Sequence, residues 1–69
     1  MSDYYVNRDT TYNPNHNHEV HKAGCYYMPS NKEYLGSYAN AIPAVTEAKR
    51  RGYTDADGCK TCCPEAHYA

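Results

Sequence analysis

The sequence has no tryptophan and no phenylalanine. Its valines, leucines and isoleucines are Val6, Val20, Leu35, Ile42 and Val45 and no others. A chain of 69 residues built on so little apolar material has a thin core. Scaffolds of this size usually add a disulfide, a metal ion or a partner chain. Long apolar runs are also missing. Nothing approaches the roughly 18 apolar residues of a membrane span, so no membrane association is expected. The start, "MSDYYVNRDTTYN", lacks the basic stretch and apolar run of a secretory leader. A cytoplasmic location is the resulting expectation. Charge of one sign is lacking too. The net charge is −1, which does not mark a nucleic-acid binder, and "KRR" at 49–51 reads as the charged end of a helix.

What is present is tyrosine, cysteine and histidine. Nine tyrosines supply ring area for a core or for an interface, each with a hydroxyl that needs water or a partner. Four cysteines and four histidines supply the staple. In a reducing compartment clustered Cys and His more often bind metal than form disulfides.

Local patterns predict an α+β domain of short antiparallel strands and one helix. Residues 3–8, "DYYVNR", read as a strand through Tyr5 and Val6. Residues 9–17 read as a loop, so that 1–17 is a partly loop-like N-terminal segment of one domain spanning 1–69. Residues 18–27 read as a strand entering a turn at Ala23-Gly24, and 28–33 as a second loop. Residues 34–39, "YLGSYA", read as a third strand, with Gly36 marking a bulge or a close approach. From Asn40 the period becomes helical, giving a helix over about 40–51. Asn40 is its N-cap and Pro43 lies in the first turn. Ala41, Ala44, Val45 and Ala48 form the apolar face. Lys49, Arg50 and Arg51 sit where the dipole favours cations, and Gly52 is the stop. Residues 53–59 read as a turn with Asp57-Gly58 at its corner.

The chemistry lies in two close pairs, His21-x3-Cys25 and Cys59-x2-Cys62. Zinc takes four Cys or His ligands in a tetrahedron, and two such pairs joined by a helix-bearing segment suit a structural site. The expected ligands are therefore His21, Cys25, Cys59 and Cys62, with His67, His18 and Cys63 as the second choice. Cys63 adjoins Cys62, and neighbouring side chains rarely reach one ion. His18 should point to the face of its strand opposite His21. His67 could replace a ligand or orient one, and His16 should be solvated.

The stretch "VHKAGC…LGSYANAIPAVTEAKRRGYTDADGCKTC", about residues 20–62, resembles the Ada-type N-terminal zinc module. Glu47-Ala48 and Gly52-Tyr53 stand in that module's order. The whole chain also resembles a group of small stand-alone bacterial proteins of unassigned role, through "YYVN", "HEVH…C" and "DGC..C…H". The first resemblance implies zinc on His21, Cys25, Cys59 and Cys62. It does not imply DNA repair, because His21 stands where the methyl-accepting cysteine would be. Ala41 and Ala66 stand where the small bacterial proteins carry further cysteines.

The expected function is that of a small zinc-binding protein with a structural ion, acting as a binding or interaction module for a protein partner. It is expected to be a monomer or weak oligomer, not an enzyme, and to have no catalytic residue. Two alternatives use the same cysteines: a thiol redox protein acting through Cys59-x2-Cys62 or a Cys63–His67 pair, and a disulfide-stapled domain. A third is weak nucleic-acid binding through Lys49, Arg50, Arg51 and Lys60 with stacking tyrosines.

Overall fold

A computed structural model of the chain describes residues 1–8 and 18–67. The elements run in the order β1 (Ser2–Asn7), β2 (Glu19–Lys22), β3 (Lys32–Tyr38), α1 (Ala41–Arg50), β4 (Asp57–Gly58) and a 3-10 turn (Pro64–Ala66). The four strands form one sheet in the order β3-β1-β2-β4. The predicted loop 9–17 and His16 lie outside the described residues.

Alternation in β1 buries Tyr4 and Val6 and leaves their neighbours half-buried. Val6 pairs with Val20 of β2 across an antiparallel ladder. The α1 residues Ala41, Ala44, Val45 and Ala48 are all buried, as the helical spacing predicts. They join Tyr4, Val6, Val20, Leu35, Ala56, Cys63 and Ala66 in one core. Three alanines on that face let the helix backbone come close to the sheet, which suits a chain poor in large apolar side chains.

Both ends of α1 are capped. The Asn40 side chain accepts a hydrogen bond from the Ile42 amide at 2.9 Å. The Ala41 amide donates to Glu65 Oε2 at 2.9 Å, so a carboxylate from the chain's far end meets the positive pole of the helix. At the other end Gly52 adopts φ +107°, and the Gly52 and Tyr53 amides donate back to Lys49 and Ala48 carbonyls. That is the paired-bond stop that glycine favours. The Glu47 carboxylate accepts from Arg50 and Arg51, and Arg51 also reaches Glu33 and the Tyr34 carbonyl. The basic run is thus the charged end of a helix, with Arg50 and Arg51 tied to carboxylates.

Three expectations change. The sheet is mixed rather than wholly antiparallel, because β4 pairs parallel to β2. Asp57-Gly58 is that short strand and not a turn corner: the Asp57 amide donates to the His18 carbonyl and the Cys59 amide to the Val20 carbonyl. The intervening β3 and α1 make the crossover that a parallel pair requires. Third, β3 starts at Lys32 instead of 34, since Lys32 and Glu33 stand opposite Asn7 and Val6 and extend the ladder. Gly36 does mark an irregularity. The β1–β3 register shifts beside it, its φ is +122°, and a Cβ there would lie 3.2 Å from the Tyr38 hydroxyl. That hydroxyl donates to the Leu35 carbonyl at the shift.

Candidate metal centre

Two segments meet at one end of the β2–β4 pair. The first begins on β2 with His21, which is only 1% exposed. After Lys22 the chain turns at Ala23-Gly24, where Gly24 takes φ +88°. The Ala23 amide donates to the Asp3 carbonyl, and the Cys25 amide to the Lys22 carbonyl. These bonds fold Cys25 back beside His21. The second segment leaves β4 with Cys59, whose amide is fixed by Val20 of the neighbouring strand. The Cys63 amide then donates to the Cys59 carbonyl at 2.8 Å, curling 59–63 into one tight turn.

The ligand atoms of His21, Cys25, Cys59 and Cys62 all lie within 4.8 Å of one another. Cys25 and Cys59 Sγ are 4.0 Å apart, and Cys62 Sγ is 3.9 Å from His21 Nδ1. A zinc–sulfur bond of about 2.3 Å in a tetrahedron sets sulfur–sulfur edges of about 3.8 Å. The Cys25–Cys59 separation of 4.0 Å is close to that edge. The cluster's donors, three thiols and one imidazole, are those zinc prefers. Burial lowers the His21 pKa, so the ring is held neutral, the form that can bind a metal. Burial pushes the Cys62 thiol far up, while the Lys22 amide, 3.3 Å from its sulfur, favours the thiolate. Among the described residues, no other group of three or more His, Cys, Asp or Glu side chains is placed to hold a metal.

The second-choice residues have other partners. His18 Nδ1 lies 2.6 Å from Asp55 Oδ1, and its ring packs on Tyr53. His67 Nδ1 lies 3.0 Å from the Gly58 carbonyl oxygen. A carbonyl only accepts, so Nδ1 carries the hydrogen and pins the chain's end to β4. Cys63 is fully buried in the core, with Sγ 3.6 Å from that of Cys62. Burial raises its pKa and keeps it a thiol. The Lys22 amide and Glu19, which lies 3.7 Å from His21 Nε2, were not singled out from the sequence. The two-residue period of a strand could have found Glu19, since it shares a face of β2 with His21.

The tyrosines divide. Tyr4 is buried and Tyr38 and Tyr53 pack against the core, whereas Tyr26, Tyr27 and Tyr34 are 90%, 61% and 51% exposed. No helix among the described residues is long and apolar enough to cross a membrane. Comparison with family models, curated proteins and solved structures finds no match in any of the three.

Proposed function

We propose that this chain is a small zinc-binding protein in which His21, Cys25, Cys59 and Cys62 hold one structural Zn²⁺. The observation that carries the reading is the convergence of those four donors, from two segments far apart in sequence, to within 4.8 Å. The likeness of residues 20–62 to the Ada-type zinc module supports it. Methyl transfer is not part of the proposal, because His21 occupies the acceptor position. Bound zinc would cross-link β2, the 23–25 turn and the 59–63 turn. Structural zinc in small peptides contributes about 10–16 kcal/mol at neutral pH, enough to decide whether a core this thin folds.

With four protein ligands there is no open position for substrate, so the role is scaffolding and not catalysis. The scaffold presents Tyr26 and Tyr27, an edge-to-face pair directly after Cys25, as exposed aromatic anchors of the kind that protein partners use. Interaction with a protein partner in the cytoplasm is the function proposed.

The test is native mass spectrometry of protein prepared under reducing conditions, followed by chelation. One zinc per chain, and collapse of amide NMR dispersion when it is removed, is the expected result. A dispersed spectrum for metal-free, reduced protein would refute the structural role. The competing reading is a disulfide between Cys25 and Cys59, whose sulfurs lie 4.0 Å apart; the Cys62 and Cys63 sulfurs are nearer, at 3.6 Å, but a bridge between adjacent residues strains the backbone that joins them. The Cys25–Cys59 bridge predicts a mass two hydrogens lower that reductant restores.

A further inference from the structure

We propose that Glu19 is a positioning residue for His21: its carboxylate accepts the Nε2 hydrogen and so leaves the Nδ1 lone pair free to face the three thiols. The inference rests on the zinc reading above and goes beyond its four ligands.

Four observations carry it. A neutral imidazole has one N–H, so whichever nitrogen donates, the other is the one able to bind a metal. The two nitrogens of His21 face different groups: Nδ1 is 3.9 Å from Cys62 Sγ, and Nε2 is 3.7 Å from Glu19 Oε1. Glu19 and His21 are two apart on β2, and the pleat sends both to the same face. Finally, among the described residues Glu19 forms no salt bridge with Lys or Arg, although its side chain is only 29% exposed. Its register partner on β4 is another acid, Asp57, beside which His67 stands at 3.4 Å. A half-buried carboxylate next to another acid is unfavourable unless a cation or donor is near; His67 acts on Glu19 through its charge, and the Nε2 edge of His21 faces Glu19 Oε1 at 3.7 Å. At 3.7 Å the two atoms stand just beyond hydrogen-bond range. A cation on Nδ1 would polarise the Nε2–H and draw the carboxylate in. Carboxylate–histidine–metal chains of this kind fix ring orientation and strengthen the ligand.

The experiment compares wild type, Glu19→Gln and Glu19→Ala, each zinc-loaded, by competition with a chromophoric chelator and by long-range ¹H–¹⁵N spectra of the histidines. In wild type the spectrum should show His21 protonated at Nε2 and metal-bound at Nδ1. Glu19→Ala should bind zinc about 10- to 100-fold more weakly, with faster solvent exchange of the Nε2 hydrogen. Its cobalt-substituted absorption should keep the bands of a three-sulfur, one-nitrogen site. Glu19→Gln retains an accepting oxygen without the charge and should fall between the two, which keeps the comparison available if the alanine variant folds poorly. A role limited to packing would weaken both variants without changing the Nε2 exchange. Zinc on Nε2 in wild type, or unchanged affinity and exchange in both variants, would overturn the assignment while leaving the zinc site standing. Wild-type protein that takes up no zinc would overturn both.

Discussion

Gly58 tests how the 59–67 segment is held against the sheet. It is the second residue of β4, and its backbone is not in the left-handed region, so conformational freedom is not the reason for glycine there. Space is the reason. A Cβ at this position would lie 2.7 Å from the Cys63 carbonyl oxygen, 2.8 Å from the Ala66 carbonyl carbon and 2.9 Å from Ala66 Cβ, where ordinary contact begins at 3.4 Å. The obstructing atoms are mostly backbone, so no flexible side chain can swing away. Gly58→Ala must push the 59–66 segment off β4 or separate β4 from β2. Overpacking of this kind costs about 1–3 kcal/mol. In a domain of this size each kcal/mol corresponds to about 4–8 °C in Tm, so a fall on the order of 10 °C is expected. The displaced turn carries Cys59 and Cys62, so zinc affinity should fall as well. Gly52→Ala is the control. Gly52 has φ +107° with open space around it, and it lies at the helix stop away from the thiols. It should lose about 1–2 kcal/mol through backbone strain alone and keep its zinc affinity. Thermal melts with chelator competition on both variants would check this. A Gly58→Ala protein that melts with wild type and holds zinc equally well would refute the close-packing argument.

Cys25→Ser and Cys59→Ser should each abolish zinc retention in native mass spectra, whereas Cys63→Ser should retain the ion, because the Cys63 sulfur is committed to the core. The reverse pattern between Cys62→Ser and Cys63→Ser would reassign the fourth ligand. Glu65→Ala removes the carboxylate at the α1 N-terminus and should cost about 0.5–2 kcal/mol, the range of a lost N-cap. The Ala41 amide holds the Glu65 carboxyl below its ordinary range, so this stabilisation is complete above the unfolded pKa near 4.5 and is lost as pH falls through the lower folded value. The wild-type minus Glu65→Ala difference in urea unfolding should therefore be level from pH 7 to about 5.5 and shrink toward pH 4. A difference that grows on acidification would contradict the cap. Labelled duplex or single-stranded DNA at near-physiological salt should show no sub-micromolar binding, since Arg50 and Arg51 are paired with Glu47 and Glu33. Tight binding lost on mutating both arginines would promote a nucleic-acid role.

Much of this architecture was legible in one dimension where the cause is local. The helix over 41–50 followed from the spacing of Ala41, Ala44, Val45 and Ala48 and from its end signals, because capping and amphipathic period act within a few residues. The strands around Val6, Val20 and Leu35 followed from side-chain type, and the two close His/Cys pairs from their spacing. Tertiary structure decided what depends on distant backbone. Asp57-Gly58 looks like a turn by composition, yet it becomes β4 because His18 and Val20 offer it hydrogen-bond partners far away in sequence. Glu65 looks like a surface acid until the fold brings it to Ala41. Spacing alone could rank Cys62 and Cys63 only by the awkwardness of neighbouring side chains. The fold separates them physically: the 59–63 turn aims Cys62 Sγ at His21 and the Lys22 amide and turns Cys63 into the core. A sequence records donor types and their separation along the chain, whereas a metal centre depends on their separation in space, and that is set by the sheet and helix that bring both ends together.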